Sequence, residues 1–306
     1  MNWGVLSAGP FGALWIKGLV DLGMPPEWVL TKPPRPAGRG YRERPTDVEA
    51  CCSTLGLTVI RTSSPLESIQ TLVGHGLDAL FVVDCSFFIR EPLLSLPKLG
   101  CLNLHPSLLP LLRGAAPIQR ALWMGLTETG VTLFRLVEEM DAGPVLMQRR
   151  SPIDESDDTG TLMAKLAMLS AEMTVEFLRS PQSFIPVPQE GEPTYAPKIS
   201  NEETRVDWRR GAFEILCMVR ALSPRPGAWS TINGKRLKIL KASIDHQVPR
   251  GLEPGDPYVK GKLPGVICGD QLGLMLLEVQ PDGKRPMPGE SWLAGLRSYD
   301  ADFCWE

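Results

Sequence analysis

The sequence predicts an α/β fold, a doubly wound and mostly parallel sheet, joined to a second, smaller domain built as a β-barrel. Three observations predict it. Strand-like apolar runs alternate with helical patterns as far as Leu178. The run Ala79-Leu80-Phe81-Val82-Val83 is apolar at every position, as a parallel strand buried on both faces should be. Beyond a proline-rich stretch, the pattern changes to short strands at close spacing with turn signals between them. With 306 residues and 43% hydrophobic content, the chain is long enough for one sizeable core and a smaller second one.

Taken in order, residues 3–8 (WGVLSA) read as a strand, Gly9-Pro10 as a turn, and the next residues as a helix through Leu22. Residues 27–31 predict a second strand, and residues 32–45 (KPPRPAGRGYRERP) a loop rich in Pro, Gly and Arg. Val48–Leu55 predicts a helix and Leu57–Ile60 a strand. After the 79–83 strand come strands at Cys101–Leu104, Thr129–Val137 and Val145–Arg149, then a helix from Thr159. Residues 1–180 thus form the expected first domain. The stretch 181–200 has prolines and few periodic apolar residues, which marks a linker. Residues 201–306 form the expected second domain, with a helix around Phe213–Ala221, a hairpin turn at Ile232-Asn233-Gly234-Lys235 and two strands within Leu263–Leu277.

Charge and composition exclude several classes. The net charge is −3, so attraction to a polyanion has to rest on local clusters. The first residues, MNWGVLSAGPFGALW, lack a basic region before an apolar core, so no secretory signal is expected. No apolar run approaches ~20 residues, so no membrane span is expected. Seven cysteines, none spaced CxxC, read as free thiols in a reducing cytosol, with no disulfide frame and no metal site.

The chemistry-bearing residues follow the 101–104 strand. In an open parallel sheet, ligands bind outside the carboxyl ends of the strands. Alternation puts Asn103 and His105 on one side. A carboxamide and an imidazole converging there suit acyl transfer to an amine. Asn103 can donate to the oxygen on which charge develops, and His105 can take or relay the amine proton. A carboxylate is wanted near the imidazole, and Asp141, in the turn Met140-Asp141-Ala142-Gly143-Pro144, can supply it. On the residues alone, an Asn-x-His at a strand end is also what a structural hydrogen-bonding pair looks like. Aspartate is equally a common turn residue.

The stretch NLHPSLLPLLRGAAPIQRALWMGLTETGVTLFRLVEEMDAG, Asn103 to Gly143, resembles the formyltetrahydrofolate-dependent formyltransferase family. The Asn-x-His-x-Ser-Leu-Leu-Pro motif, Arg-Gly-Ala-Ala-Pro-Ile-Gln, Glu-Thr-Gly-Val-Thr and Asp-x-Gly occur in the family's order and spacing. The resemblance implies a Rossmann-like fold with an OB-like barrel and Asn103, His105 and Asp141 as the catalytic trio. It also implies a folate site lined by Ser107, Leu108, Leu109 and Pro110. The co-substrate it implies is 10-formyltetrahydrofolate, with no metal.

Further segments resemble the branch of the family that acts on methionyl-initiator tRNA. Pro36-Ala37-Gly38-Arg39-Gly40 is similar to that branch's tRNA-engaging loop, and its basic surroundings include Arg35, Arg39 and Arg42. Ala196-Pro197-Lys198-Ile199, Val206-Asp207-Trp208, Arg220–Ala228 and Gln280–Lys284 resemble its carboxyl-terminal domain. There Lys235, Arg236 and Lys238, with Lys241, form a basic cluster suited to RNA phosphate. A solvated loop and a solvated strand face are the plainer readings of these two basic segments. The expected partner is initiator methionyl-tRNA, and the chain is expected to work as a monomer in the cytoplasm.

The sequence departs from the family pattern at Ser7–Phe11, at Asp84-Cys85-Ser86, at Leu111-Leu112 before Arg113, and at Pro144. Thr132-Leu133-Phe134-Arg135 is similar to the family's sugar-amine formyltransferases. Two alternatives therefore stand beside the tRNA reading: a formyltransferase acting on an amino-sugar nucleotide, and a catalytically silent folate- or tRNA-binding homologue.

Overall fold

The computed structural model describes residues 1–37, 42–72 and 76–296. The chain divides into two compact units, and neither is one continuous stretch. The first comprises Met1–Pro117, Glu128–Pro152 and Met163–Ala196; the second comprises Ile118–Thr127, Ile153–Leu162 and Pro197–Glu306.

In chain order the first half holds β1 (Trp3–Ser7), α1 (Pro10–Asp21), β2 (Val29–Thr31), β3 (Arg35–Ala37), β4 (Arg42–Arg44), α2 (Asp47–Leu55) and β5 (Val59–Arg61). There follow α3 (Pro65–Leu72), β6 (Ala79–Val83), β7 (Cys101–His105), α4 (Pro117–Trp123), β8 (Glu128–Arg135), β9 (Val145–Pro152) and α5 (Thr159–Arg179). The seven-stranded sheet runs β5-β2-β1-β6-β7-β8-β9. Its first five strands are parallel. The pairs β7–β8 and β8–β9 are antiparallel. The sheet is therefore mostly parallel, as expected.

The central strands earn their place by burial. Every residue of β1 and β6 is buried. On one face Phe81 meets Trp3, Trp15 and Phe177 at ring-centroid distances of 5.6, 5.8 and 6.2 Å. Such aromatic contacts add to the area they bury. On the other, Leu6, Leu30, Ile69, Leu80 and Val82 share one core cluster. Helix α1 starts at Pro10 because proline pre-sets a helical φ and lacks only an N–H that would have no partner in the first turn. A Cβ on Gly12 would lie 1.8 Å from Ser7 Oγ, so α1 can approach β1 only with glycine there. Helix α2 is announced by Thr46, whose Oγ1 accepts the Glu49 N–H at 3.0 Å.

Two expectations are corrected. Residues 32–45, read as a loop, contain the short antiparallel pair β3–β4, with Arg35 opposite Arg44 and Ala37 opposite Arg42. Prolines and charges hid it, since nothing apolar recurs on one face. The stretch 181–200, read as a linker, is for the most part docked on the first unit. Val187 and Val145 exchange backbone hydrogen bonds of 2.8 and 2.7 Å. The Arg113 N–H donates to Thr194 O at 2.8 Å, and the Ala196 N–H to Arg113 O at 2.7 Å.

The second unit carries α6 (Ala212–Leu222), β10 (Ala228–Ile232), β11 (Lys235–Asp245), β12 (Pro257–Lys260), β13 (Leu263–Ile267), β14 (Gly273–Pro281), β15 (Met287–Pro288) and α7 (Gly289–Ala294). The region expected as a small barrel is an antiparallel sheet ordered β10-β11-β14-β13-β12, with β15 beside β14. Asn233 and Gly234 have φ of +49° and +68°, the left-handed pair that a tight β10–β11 hairpin needs. One face of the sheet packs on α6 through Ile215, Val219 and Leu222 against Ile239, Leu276 and Val279.

Candidate active site

The site is built outward from β7. Leu102 and Leu104 are fully buried on one side of it, and alternation turns Asn103 and His105 to the other. Across the antiparallel pairing, Asn103 faces Phe134 and His105 faces Thr132 in β8.

The Asn103 carboxamide is locked. Its Nδ2 donates to the Val82 carbonyl of β6 at 2.7 Å. A carbonyl can only accept, so the amide cannot be turned round. Its Oδ1 is buried and has no hydrogen-bond partner among the described residues. A buried, unpaired acceptor is costly enough to require a reason.

His105 is 5% exposed. Its Nε2 lies 2.8 Å from the Leu112 carbonyl, so Nε2 carries the hydrogen. Its Nδ1 lies 3.8 Å from Asp141 Oδ2. That same carboxylate oxygen accepts the Gly114 N–H at 2.8 Å. The Leu112 carbonyl thus fixes the ring's rotation, and the Asp141 carboxyl group stands beside the other ring nitrogen. Leu112 and Asp141 both take positive φ, +60° and +52°.

The four residues expected to line the folate site divide. Ser107 is fully buried, and its Oγ donates to Leu111 O at 2.5 Å. Leu109 is 5% exposed. Both act as supports of the segment, while Leu108 and Pro110 are half-buried and remain available as lining. Thr132 and Gln148 pin the segment. Thr132 Oγ1 donates to Ser107 O at 2.7 Å and accepts the Leu109 N–H at 3.0 Å. Gln148 Nε2 donates to Leu109 O at 2.6 Å and to Thr132 Oγ1 at 3.0 Å.

Sequence reasoning named Thr132 only as part of a motif and did not single out Gln148, Gln189 or Thr194. Each makes its contacts with residues far away in sequence, which only the folded chain reveals. The departure at Asp84 has a structural answer. Its Oδ2 accepts the Phe11 N–H at 2.9 Å and the Gly12 N–H at 3.4 Å, so a side chain from the end of β6 caps the amino end of α1. Nearby, Lys32 Nζ donates to Ser86 Oγ at 2.6 Å and lies 4.5 Å from the centre of the Phe87 ring.

The basic residues fall in two places. Arg35 is exposed on β3, Arg42 lies on β4, and Arg39 lies outside the described residues. In the second unit Lys235 and Arg236 are exposed on β11 and Lys238 is half-buried. Arg236 sits 4.1 Å from the centre of the Trp229 ring. Burial, and then the neighbouring Arg236 and Arg225 charges, hold the Lys238 ammonium below the usual lysine range. Crowded cations of this kind suit a polyanion.

An amide and an imidazole on β7, with a carboxylate from the β8–β9 turn beside the imidazole, thus meet in a mostly parallel sheet. Residues 26–178 match the family model described as formyl transferase, and residues 198–297 match the one described as formyl transferase, C-terminal domain. The chain belongs to the formyl transferase family. It is 41% identical over 273 residues to a methionyl-tRNA formyltransferase of Jannaschia sp., covering 88% of each chain. It is 39% identical over 288 residues to the methionyl-tRNA formyltransferase of Methylococcus capsulatus, covering 92% of this chain and 93% of that one. The fold is shared with HypX from Aquifex aeolicus, solved in complex with tetrahydrofolic acid, at a TM-score of 0.65 and 20% identity. That match covers 96% of this chain and 47% of HypX, so the chain spans about half the length of that protein.

Proposed function

We propose that this protein transfers the formyl group of 10-formyltetrahydrofolate to the amino group of methionyl-initiator tRNA, for translation initiation in the cytoplasm. The observation that carries the chemistry is the Asn103 carboxamide, pinned by Val82 and left with a buried, unpartnered Oδ1. The acceptor is argued from the methionyl-tRNA formyltransferases to which the chain is similar over most of its length. No helix among the described residues is long and apolar enough to cross a membrane.

Bound folate supplies a formyl group activated for attack by an amine. The orphaned amide oxygen fits such a reaction, because an amine N–H is the donor it lacks. Asn103 orients the amine through Oδ1, and its second Nδ2 hydrogen faces the oxygen on which charge develops. His105 accepts the amine proton at Nδ1, the nitrogen facing Asp141, so the cation forms against a carboxylate, and that proton goes to the folate nitrogen as its bond to the formyl carbon breaks and tetrahydrofolate leaves. Leu108 and Pro110 contact the folate, with Ser107 and Leu109 supporting them. In this reading residues 1–180, together with the docked segment as far as 196, carry the chemistry. Residues 201–306 supply RNA contacts, and Arg35, Arg39, Arg42, Lys235, Arg236 and Lys238 meet tRNA phosphates.

The test follows labelled formyl transfer from the folate to charged initiator tRNA, with an amino-sugar nucleotide as the competing acceptor. Asn103→Ala is expected to lower kcat roughly 10²–10³-fold in a protein that still unfolds cooperatively. Near-normal turnover in that variant would sink the mechanism, and faster transfer to the sugar amine would sink the acceptor.

A further inference from the structure

The trio explains which groups meet the reacting atoms, but not what keeps a carboxylate in a positive-φ turn beside His105. The turn is gripped from the segment that docks on the first unit. Gln189 Nε2 donates to Asp141 O at 2.7 Å and to Gly143 O at 2.8 Å. Gln189 Oε1 accepts from Arg113 Nη2 at 2.8 Å and from Arg113 Nε at 3.3 Å. Both ends of the amide are therefore used, and its orientation is unique. The nitrogen faces two carbonyls, which only accept, and the oxygen faces a guanidinium, which only donates.

Neither near-isostere does both. Glutamate would still receive Arg113 but would place a carboxylate against two carbonyl oxygens. Leucine would leave the guanidinium and both carbonyls without these partners. Arg113 is 9% exposed, and its ion-pair partner among the described residues, Glu139 at 3.3 Å, has a side chain 76% exposed. The Gln189 oxygen thus gives a buried cation a neutral partner without competing with Asp141 for charge.

The same segment holds the other group that touches His105. Thr194 Oγ1 accepts the Leu112 N–H at 2.8 Å, and the Leu112 carbonyl receives His105 Nε2. One strip of chain, residues 189–196, therefore anchors what faces both ring nitrogens. It lies between the regions that match the two family models.

We infer that Gln189 is a positioning residue for formyl transfer, acting through the Asp141 turn. The inference rests on the functional reading above. A carboxylate displaced by about 1 Å from a reacting group can cost on the order of 10²-fold in rate, and nothing here requires Gln189 to touch either substrate.

The experiment compares wild type, Gln189→Glu and Gln189→Leu, each alone and combined with Asp141→Ala, using charged initiator tRNA and 10-formyltetrahydrofolate. Gln189→Glu keeps the contact with Arg113 and removes both donors to the turn, so it remains informative if the leucine variant fails to fold. Its kcat is expected to fall roughly 10–100-fold while both KM values stay within about threefold of wild type. Adding Gln189→Glu to Asp141→Ala should then cost nothing further, because residues acting as a unit are not additive. Amide hydrogen exchange over residues 139–145 should quicken in Gln189→Glu. A wild-type kcat in that variant, or a full extra loss in the double variant, overturns the inference, as does unchanged exchange whatever the acceptor. If wild type is inactive on charged tRNA while exchange still quickens, the hold on the turn is supported and only the acceptor reading falls.

Discussion

Thr132 lies directly across from His105, and the Glu-Thr-Gly-Val-Thr motif that contains it says nothing of that pairing. It is fully buried, and its hydroxyl donates to Ser107 O and accepts from Leu109 and Gln148. One side chain thus joins the 107–110 loop to the strand opposite the site. Thr132→Val keeps the shape and leaves those three groups short of a partner. An unsatisfied buried polar group costs about 1–3 kcal/mol, so a loss of roughly 2–4 kcal/mol is expected from urea unfolding curves. A loss below about 0.5 kcal/mol would mean that the loop is held by Gln148 alone.

Elements differ in how far their residues announce them. Strands β1 and β6 were legible because burial on both faces leaves a nearly continuous apolar run, and α1 because Gly9-Pro10 marks its start. The proposed trio could be picked out in the sequence because Asn103 and His105 sit two apart on a strand and Asp141 in a turn, and the structure brings His105 and Asp141 within 3.8 Å. The hairpin β3–β4 was not, because backbone pairing among Arg, Pro and Glu leaves no apolar period. The docked 181–196 segment was not either, because its anchors are a few backbone bonds and the single side chains of Gln189 and Thr194. Local pattern reports burial of a face; it is silent on a lone partner far away in sequence.

The β11–β12 region offers a test of the same kind, by pH. Burial alone would raise the Asp245 carboxyl, yet Lys260 at 2.6 Å, the Gln247 N–H at 2.9 Å and the Tyr258 hydroxyl at 3.0 Å together hold it below its ordinary range. A depressed folded pKa contributes stability that is present above the unfolded value, about 4, and is lost as pH falls through the folded value. The stability gap between wild type and Asp245→Asn should therefore be widest near neutrality and narrow below about pH 4. Urea midpoints at a series of pH values decide it, and a gap independent of pH would remove Asp245 as the cause.

At the scale of the whole molecule, a net charge of −3 opposes a polyanion, so attraction to tRNA has to come from where the cations stand. The proposed contacts are few and clustered: Arg35, Arg39 and Arg42 along the 35–44 segment, and Lys235, Arg236 and Lys238 on β11. Each phosphate contact releases condensed counterions, so the logarithm of affinity falls with the logarithm of salt by about 0.7–0.9 per contact. Replacing Lys235, Arg236 and Lys238 together by Ala should flatten that slope by roughly 2–3 and raise KM for charged tRNA most at low salt. Lys17→Ala removes an exposed cation, but one paired with Asp21 on α1, and should leave the slope as it is. Because both arms change net charge in the same direction, a slope that drops in the triple variant alone locates the contact at β11. A slope unchanged in the triple variant would place the RNA elsewhere on the protein.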